Sequence, residues 1–197
     1  MTDAANCEHG GAVYIGLGSN LGDRLAILKQ AVAHLAALGS VTATSAIYET
    51  DPVGFVDQPS FLNAVVCLQT TLAPADLLAN LLRIEQEMGR VRTFPNAPRI
   101  IDLDLLLVGD VVIHTARLMV PHPAMHERAF VLVPLADIAP DLMHPVLGVL
   151  IIDLLGRLGP VTDVHQITNS LKTDSVEWVK VVSSMSSRCR SGGFECG

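Results

Sequence analysis

The stretch Asn96–Asp110, "NAPRIIDLDLLLVGD", decides the fold: two aspartates interrupt an apolar run that otherwise reads as protein interior. Side chains alternate across a strand, so Asp102 and Asp104 project from one face about 6.5 to 7 Å apart. Leu103, Leu105 and Leu107 then supply the core behind them. Two neighbouring carboxylates in an apolar element repel each other and lose hydration unless something positive sits between them. A divalent metal answers both costs, and Mg²⁺ favours one or two carboxylates completed by substrate phosphates. The plainer reading is an edge strand with one face in water. Arg99, three residues upstream, and the arginines of the preceding loop tip the balance toward metal and phosphate.

Working outward, the polar loop "RVRTFPNAPR" separates this strand from a helix that opens near Pro74. Leu77, Leu78, Leu81, Leu82, Ile84 and Met88 give that helix its apolar face, and Gly89 ends it. Before it come the strands "VTATSAIYET" and "FLNAVVCLQTTL", joined by "DPVGFVDQPS", a connection too long for a simple hairpin and of the kind that carries function. Nearer the N-terminus, "AVYIGLGSN" reads as a strand. Asp23 then opens a helix with Leu25, Leu28, Val32, Leu35 and Leu38, stopped by Gly39. The order is βαββαβ. It predicts an α+β, ferredoxin-like antiparallel sheet with its helices packed on one face.

Downstream lies a C-terminal extension, with "DVVIHT" as a short strand, "PAMHERAFVLVPLADIA" as a helix interrupted by Pro134, and "VLIIDLLGRLG" as a last helix. The chain divides into a flexible head (1–12), one domain (13–159) and a partly disordered tail (160–197) with five serines among residues 183 to 191.

Composition narrows the function. The net charge of −7 argues against general binding to nucleic acid or anionic membrane. No apolar run reaches the roughly 18 residues of a membrane helix, and the N-terminus lacks a secretory pattern, which predicts a cytoplasmic protein. The four cysteines show no CxxC pairing, so free thiols are expected. Six of the ten arginines fall between Arg83 and Arg128, where there is no lysine. Guanidinium groups bind phosphate bidentately, so this cluster in an acidic protein marks an anionic ligand.

The glycines of "GLGSNLG" do not make a dinucleotide fingerprint, because Leu21 holds the third glycine's place and no acidic ribose partner follows. They fit a tight turn, or backbone approaching a flat ligand. His122 and His126 lack the glutamate of a helical zinc motif. A non-catalytic nucleotide-sensing module explains the arginines but not the paired carboxylates. A nicotinamide oxidoreductase rests on the glycine turn alone.

Together "GLGSNLGDR", "YETDPVGFVDQPSFLNAV", "RIEQEMGRVR", "APRIIDLDLLL" and "VPHPAMHERAFVLVPLADIAPDL" resemble the 6-hydroxymethyl-7,8-dihydropterin pyrophosphokinase family, from about Val13 to Leu158. The resemblance implies an ATP- and Mg²⁺-dependent diphosphotransferase of folate biosynthesis, with small-molecule substrates and no obligate protein partner. It implies Asp102 and Asp104 as ligands of two Mg²⁺ ions, and Arg90 and Arg99 as catalytic, phosphate-clamping arginines. Glu85, Arg92, Arg117, His122 and Arg128 fall at its ATP contacts. Gly18, Thr50, Val53, Phe61, Asn63 and Phe130 fall at its pterin contacts, the two phenylalanines as aromatic walls. The chain departs from some relatives at Asn96, Ile100 and Pro123.

Overall fold

The computed structural model describes residues 11–91, 94–168 and 171. Strand β1 (Ala12–Ser19) is followed by helix α1 (Arg24–Leu35), β2 (Ser40–Thr44), β3 (Ile47–Thr50), β4 (Phe61–Gln69), α2 (Pro74–Glu87) and β5 (Asp102–Val108). The main sheet is antiparallel. Its path runs from β3 through β4 and β1 to β5, so the two strands carrying the outer ends of the βαββαβ unit lie side by side at its centre and edge. This is the ferredoxin-like fold that the element order predicts.

Local chemistry sets the helices. Asp23 caps α1, its side chain accepting from Ala26 N at 3.1 Å. Pro74 begins α2, where a missing N–H costs nothing. Leu28, Ala31, Val32 and Leu35 of α1 and Leu77, Leu81 and Ile84 of α2 pack on one face of the sheet, against Ile15, Leu17, Leu68, Leu103 and Leu105. Cutting a fully buried member such as Leu81 or Leu68 back to alanine would cost about 2–5 kcal/mol.

Both helices of the βαββαβ unit share that face, as expected, and the C-terminal extension covers the other. Beyond β5 come β6 (Ile113–His114), β7 (Met119–Val120), a 3₁₀ turn (Met125–Glu127), α3 (Ala129–Ile138), β8 (Met143–His144), β9 (Val149–Leu150) and α4 (Ile151–Arg157). Val131, Leu132 and Leu135 of α3 and Ile151 and Leu154 of α4 form a second core with Val65, Leu106 and Leu107. Pro134 sits inside α3 without ending it. The sheet is thus sandwiched.

Three departures have physical causes. The pairing of β1 with β5 slips between Tyr14 and Ile15, which face Leu107 and Leu105, so Leu106 is inserted and the period of two breaks. Leu107 therefore joins the second core rather than the first. The expected single strand "VTATSAIYET" is two. At Ser45 the buried hydroxyl accepts from Val65 N (2.9 Å) and donates to Ala46 O (2.7 Å), replacing ladder partners between β2 and β3. Finally, β10 (Val164–Thr168) pairs antiparallel with β3 as the sheet's outer strand, drawn from the stretch read as tail. The head through residue 10 and residues 172–197 lie outside the described residues.

Candidate active site

Strand pairing places a glycine opposite each aspartate: Gly18 faces Asp102 and Gly16 faces Asp104. Both glycines lie within β1 rather than in a turn, which begins after Ser19. A side chain at Gly18 would meet Asn63 Oδ1 at 3.1 Å, and one at Gly16 would meet Leu106 Cδ1 at 3.5 Å. Bare backbone here leaves a floor on which the two carboxylates stand. Asp102 and Asp104 both line one cleft, as the strand period requires.

The two aspartates live in different fields. Arg90 Nη1 donates to Asp102 Oδ1 and also to Glu85 Oε1, and Arg99 Nε lies 3.1 Å from Asp102 Oδ2 without the alignment of a hydrogen bond. The buried Glu85 carboxylate, 2% exposed, accepts as well from Leu103 N at 2.8 Å, tying α2 to β5. Burial works against the Arg90 cation, but Asp102 and Glu85 outweigh it and its pKa rises above the ordinary value. Among the described residues Asp104 makes no comparable ion pair. Burial, then the Asp102 charge, pushes its pKa up to about 6, with Glu85 adding to the rise and Arg128 and Arg99 opposing it. An added cation would relieve that conflict. Among the described residues no three His, Cys, Asp or Glu side chains converge as a metal cage. Two carboxylates fit Mg²⁺, which takes its remaining ligands from phosphates and water.

The far half of the cleft is aromatic and amide-lined. Gly18, Thr50, Val53, Phe61, Asn63 and Phe130 all line it. Asn63 Nδ2 donates to Thr50 Oγ1 at 2.7 Å, and both residues are buried, so the amide is held with its oxygen beside Gly18. Each phenylalanine carries a guanidinium at its face: Arg99 is 5.2 Å from the Phe61 ring centre and Arg128 is 5.6 Å from that of Phe130. Strands β3 and β4 carry the polar edge and one ring, while the start of α3 carries the other ring.

The remaining sequence candidates scatter. His122 N donates to Leu106 O (2.9 Å), which sets it beside β5, and its ring pKa is lowered by burial and then by Arg128, with Asp102 opposing. Both effects favour the uncharged ring. Arg117 is exposed on the turn between β6 and β7, away from the cleft lining. Arg92 lies outside the described residues.

Sequence reading passed over two side chains. Asn20, 2% exposed, accepts from Arg99 N at 2.8 Å through Oδ1 and donates through Nδ2 to Gln58 Oε1 (2.9 Å) and Pro59 O (3.1 Å). Gln58 Nε2 in turn donates to Phe55 O (2.5 Å) and Asn96 O (3.0 Å). Their one signal in the sequence was Asn20 closing a strand beside glycines, which reads equally well as turn punctuation.

The fold and this cleft define an enzyme of the ferredoxin-like class, with a charged half and an aromatic half to its site. The family model of 7,8-dihydro-6-hydroxymethylpterin-pyrophosphokinase (HPPK) matches residues 14–140. The chain is 54% identical over 127 residues to a 2-amino-4-hydroxy-6-hydroxymethyldihydropteridine pyrophosphokinase of Bacillus subtilis, covering 64% of this chain and 76% of that one. It is 48% identical over 149 residues to the protein of the same name from Methylorubrum extorquens, covering 75% and 93%. Other relatives are longer. The chain spans only 19% of a Pneumocystis carinii folic acid synthesis protein, to which it is 49% identical over 138 residues, or 70% of this chain. A crystal structure of Plasmodium falciparum HPPK-DHPS superposes with a TM-score of 0.61 at 20% identity, covering 75% of this chain and 45% of that one, a likeness of fold. This chain belongs to the 7,8-dihydro-6-hydroxymethylpterin-pyrophosphokinase family.

Proposed function

We propose that the chain transfers the pyrophosphoryl group of MgATP to the hydroxymethyl oxygen of 6-hydroxymethyl-7,8-dihydropterin, releasing AMP, as a step of folate biosynthesis in the cytoplasm. Family membership supports the reaction class. The single observation that carries the residue roles is the one cleft shared by Asp102, Asp104 and Arg99 with Thr50, Asn63, Phe61 and Phe130. An aromatic slot with a buried amide at its edge suits a flat, hydrogen-bonding ring, since an amide both donates and accepts.

Asp102 and Asp104 would hold two Mg²⁺ ions, which neutralise the phosphate charge that builds up in the transition state. Arg99 and Arg90, near the same carboxylates, would clamp the transferred phosphates, with Arg128 nearby. Glu85, buried beneath Arg90, would serve the nucleotide side by holding that guanidinium. His122 and Arg117 would meet ATP farther out, together with Arg92. Phe61 and Phe130 would stack on the pterin, while Asn63 and Thr50, with Val53 and Gly18, would line its edge and face. Phosphoryl transfer asks little covalent work of the protein, so alignment and charge stabilisation carry the rate. Loops 51–60 and 94–99 would exclude water that otherwise hydrolyses ATP. The partners are these two small molecules.

The test is product analysis by phosphorus NMR with the full chain, MgATP and the hydroxymethyl dihydropterin. AMP and a pterin diphosphate should form in equal amounts, and neither without pterin. ADP as the product, or nucleotide hydrolysis indifferent to pterin, would overturn the reading.

A further inference from the structure

Arg24 is the first residue of α1, so its cation sits at the positive end of a helix that has no acidic residue in its first turn. For a cation the opposite end of a helix is the favourable one. The guanidinium reaches instead to the sheet, where Nη1 donates to Glu49 Oε1 at 2.8 Å and to Ser60 O at 2.7 Å. Glu49 lies in β3 and faces Leu62 of β4, and Ser60 is the residue before β4 begins. One nitrogen therefore holds both strands at the end where they meet the cleft.

The period of two shows what this contact supports. Leu62, the partner of Glu49, lies in the core shared with α1 and α2, whereas Thr50 and Phe61, the next pair along, line the cleft with Asn63. Arg24 and Glu49 stay outside the cleft lining. They brace it from behind. Ser60 O belongs to the planar peptide that leads into Phe61, so fixing that oxygen fixes the direction in which the Phe61 ring leaves the strand. The two side chains are 29% and 40% exposed, and an ion pair that open adds little to stability.

We infer that Arg24, held by Glu49, is a positioning residue for the ring slot: it sets the Phe61 wall against the Thr50 edge without touching the substrate. The inference rests on the pyrophosphokinase reading above. Because both bonds leave from a single nitrogen, a lysine ammonium with its three donors can restore them, while methionine keeps the apolar stem and loses every donor.

The experiment is calorimetric titration of the full chain in the parent, Arg24→Met, Arg24→Lys and Glu49→Gln. A non-hydrolysable MgATP analogue is titrated alone, and 6-hydroxymethyl-7,8-dihydropterin is titrated with that analogue saturating. Arg24→Met should weaken pterin binding by about fivefold or more, the scale of a misplaced aromatic wall, and shift the analogue by less than about twofold. Arg24→Lys should return pterin affinity to within about twofold of the parent. A merely structural role would weaken both ligands together and would not respond to lysine. Melting curves confirm folding, and where Arg24→Met does not fold, Glu49→Gln carries the test with a pterin-selective loss of about twofold or more. Parental pterin affinity in folded Arg24→Met, a loss shared equally by the nucleotide, or no recovery in Arg24→Lys overturns the inference and leaves the function standing. No pterin binding in the parent overturns the functional reading itself.

Discussion

The two halves of the cleft are built on opposite electrostatic terms. In the aromatic half Asn63 Nδ2 already has its partner in Thr50, both residues are buried, and the rings of Phe61 and Phe130 are capped by arginines. In the charged half Asp102 takes two guanidinium groups, and Asp104, two residues on, is left with its pKa raised to about 6 by burial and by Asp102. One half is held in place by an internal hydrogen bond, and the other carries a charge conflict. A site that binds a neutral ring can be finished in advance, whereas a site for highly charged phosphates needs charge that only the ligand completes.

Breaking the charged half should have the largest effect. Asp104→Ala should lower turnover by about a thousandfold or more while leaving the far-UV dichroism unchanged, since alignment of the phosphates is lost. Arg99→Ala comes next. It should lower kcat by about a hundredfold and weaken ATP binding less, and steady-state kinetics showing a change in KM alone would contradict a role in the transition state. On the aromatic side, Asn63→Ala should weaken pterin binding by roughly tenfold or more, because Thr50 and the ring edge lose a buried partner, with nucleotide affinity preserved. Equal losses for both ligands would erase the distinction between the halves.

The smallest effect sharpens the comparison most. Asp104 has a folded-state pKa of about 6 against an ordinary 3.8, so the folded protein binds its proton more tightly than the unfolded chain. Its contribution to stability is therefore fully present below about pH 4 and is lost as pH rises through about 6. Asp104→Asn should accordingly stabilise the ligand-free protein at pH 8 by about 1–2 kcal/mol, allowing for solvent screening, and the gain should vanish near pH 4. Denaturant melts at the two pH values check it. A variant less stable than the parent at pH 8 would show that Asp104 is satisfied without a cation.

Much of this was legible in the sequence, for reasons that differ by element. The period of β5 put Asp102 and Asp104 on one face, and helical spacing gave the buried stripes of α1 and α2, because local pattern reports directly on which side is dry. The family resemblance gathered the six ring-slot residues from β1, β3, β4, α3 and a loop, although spacing alone says nothing about elements that distant. Periodicity failed where pairing partners intervene. Leu107 changes sides because the register with β1 slips at Leu106, and "VTATSAIYET" breaks because the Ser45 hydroxyl substitutes for the ladder. Strand β10 has a weak pattern of its own and owes its place to β3. Asn20 and Gln58 are the clearest omissions. The hydrogen bonds that join them to each other, to Arg99 and to Asn96 span 38 residues or more, and an amide in a loop carries no periodic signal of its partner. Arg117 shows the converse, an arginine within the sequence cluster that sits outside the cleft lining.

The central claim is that the paired aspartates of β5 hold the metal-bound phosphates against a ring seated between Phe61 and Phe130. It is tested most directly by following AMP release from ATP and the hydroxymethyl dihydropterin across a magnesium titration, in the parent and in Asp104→Ala. The account predicts pterin-dependent AMP release that saturates with magnesium in the parent, and release lower by about a thousandfold or more at every magnesium concentration in folded Asp104→Ala. Parental turnover in that variant at the same magnesium concentrations would contradict it.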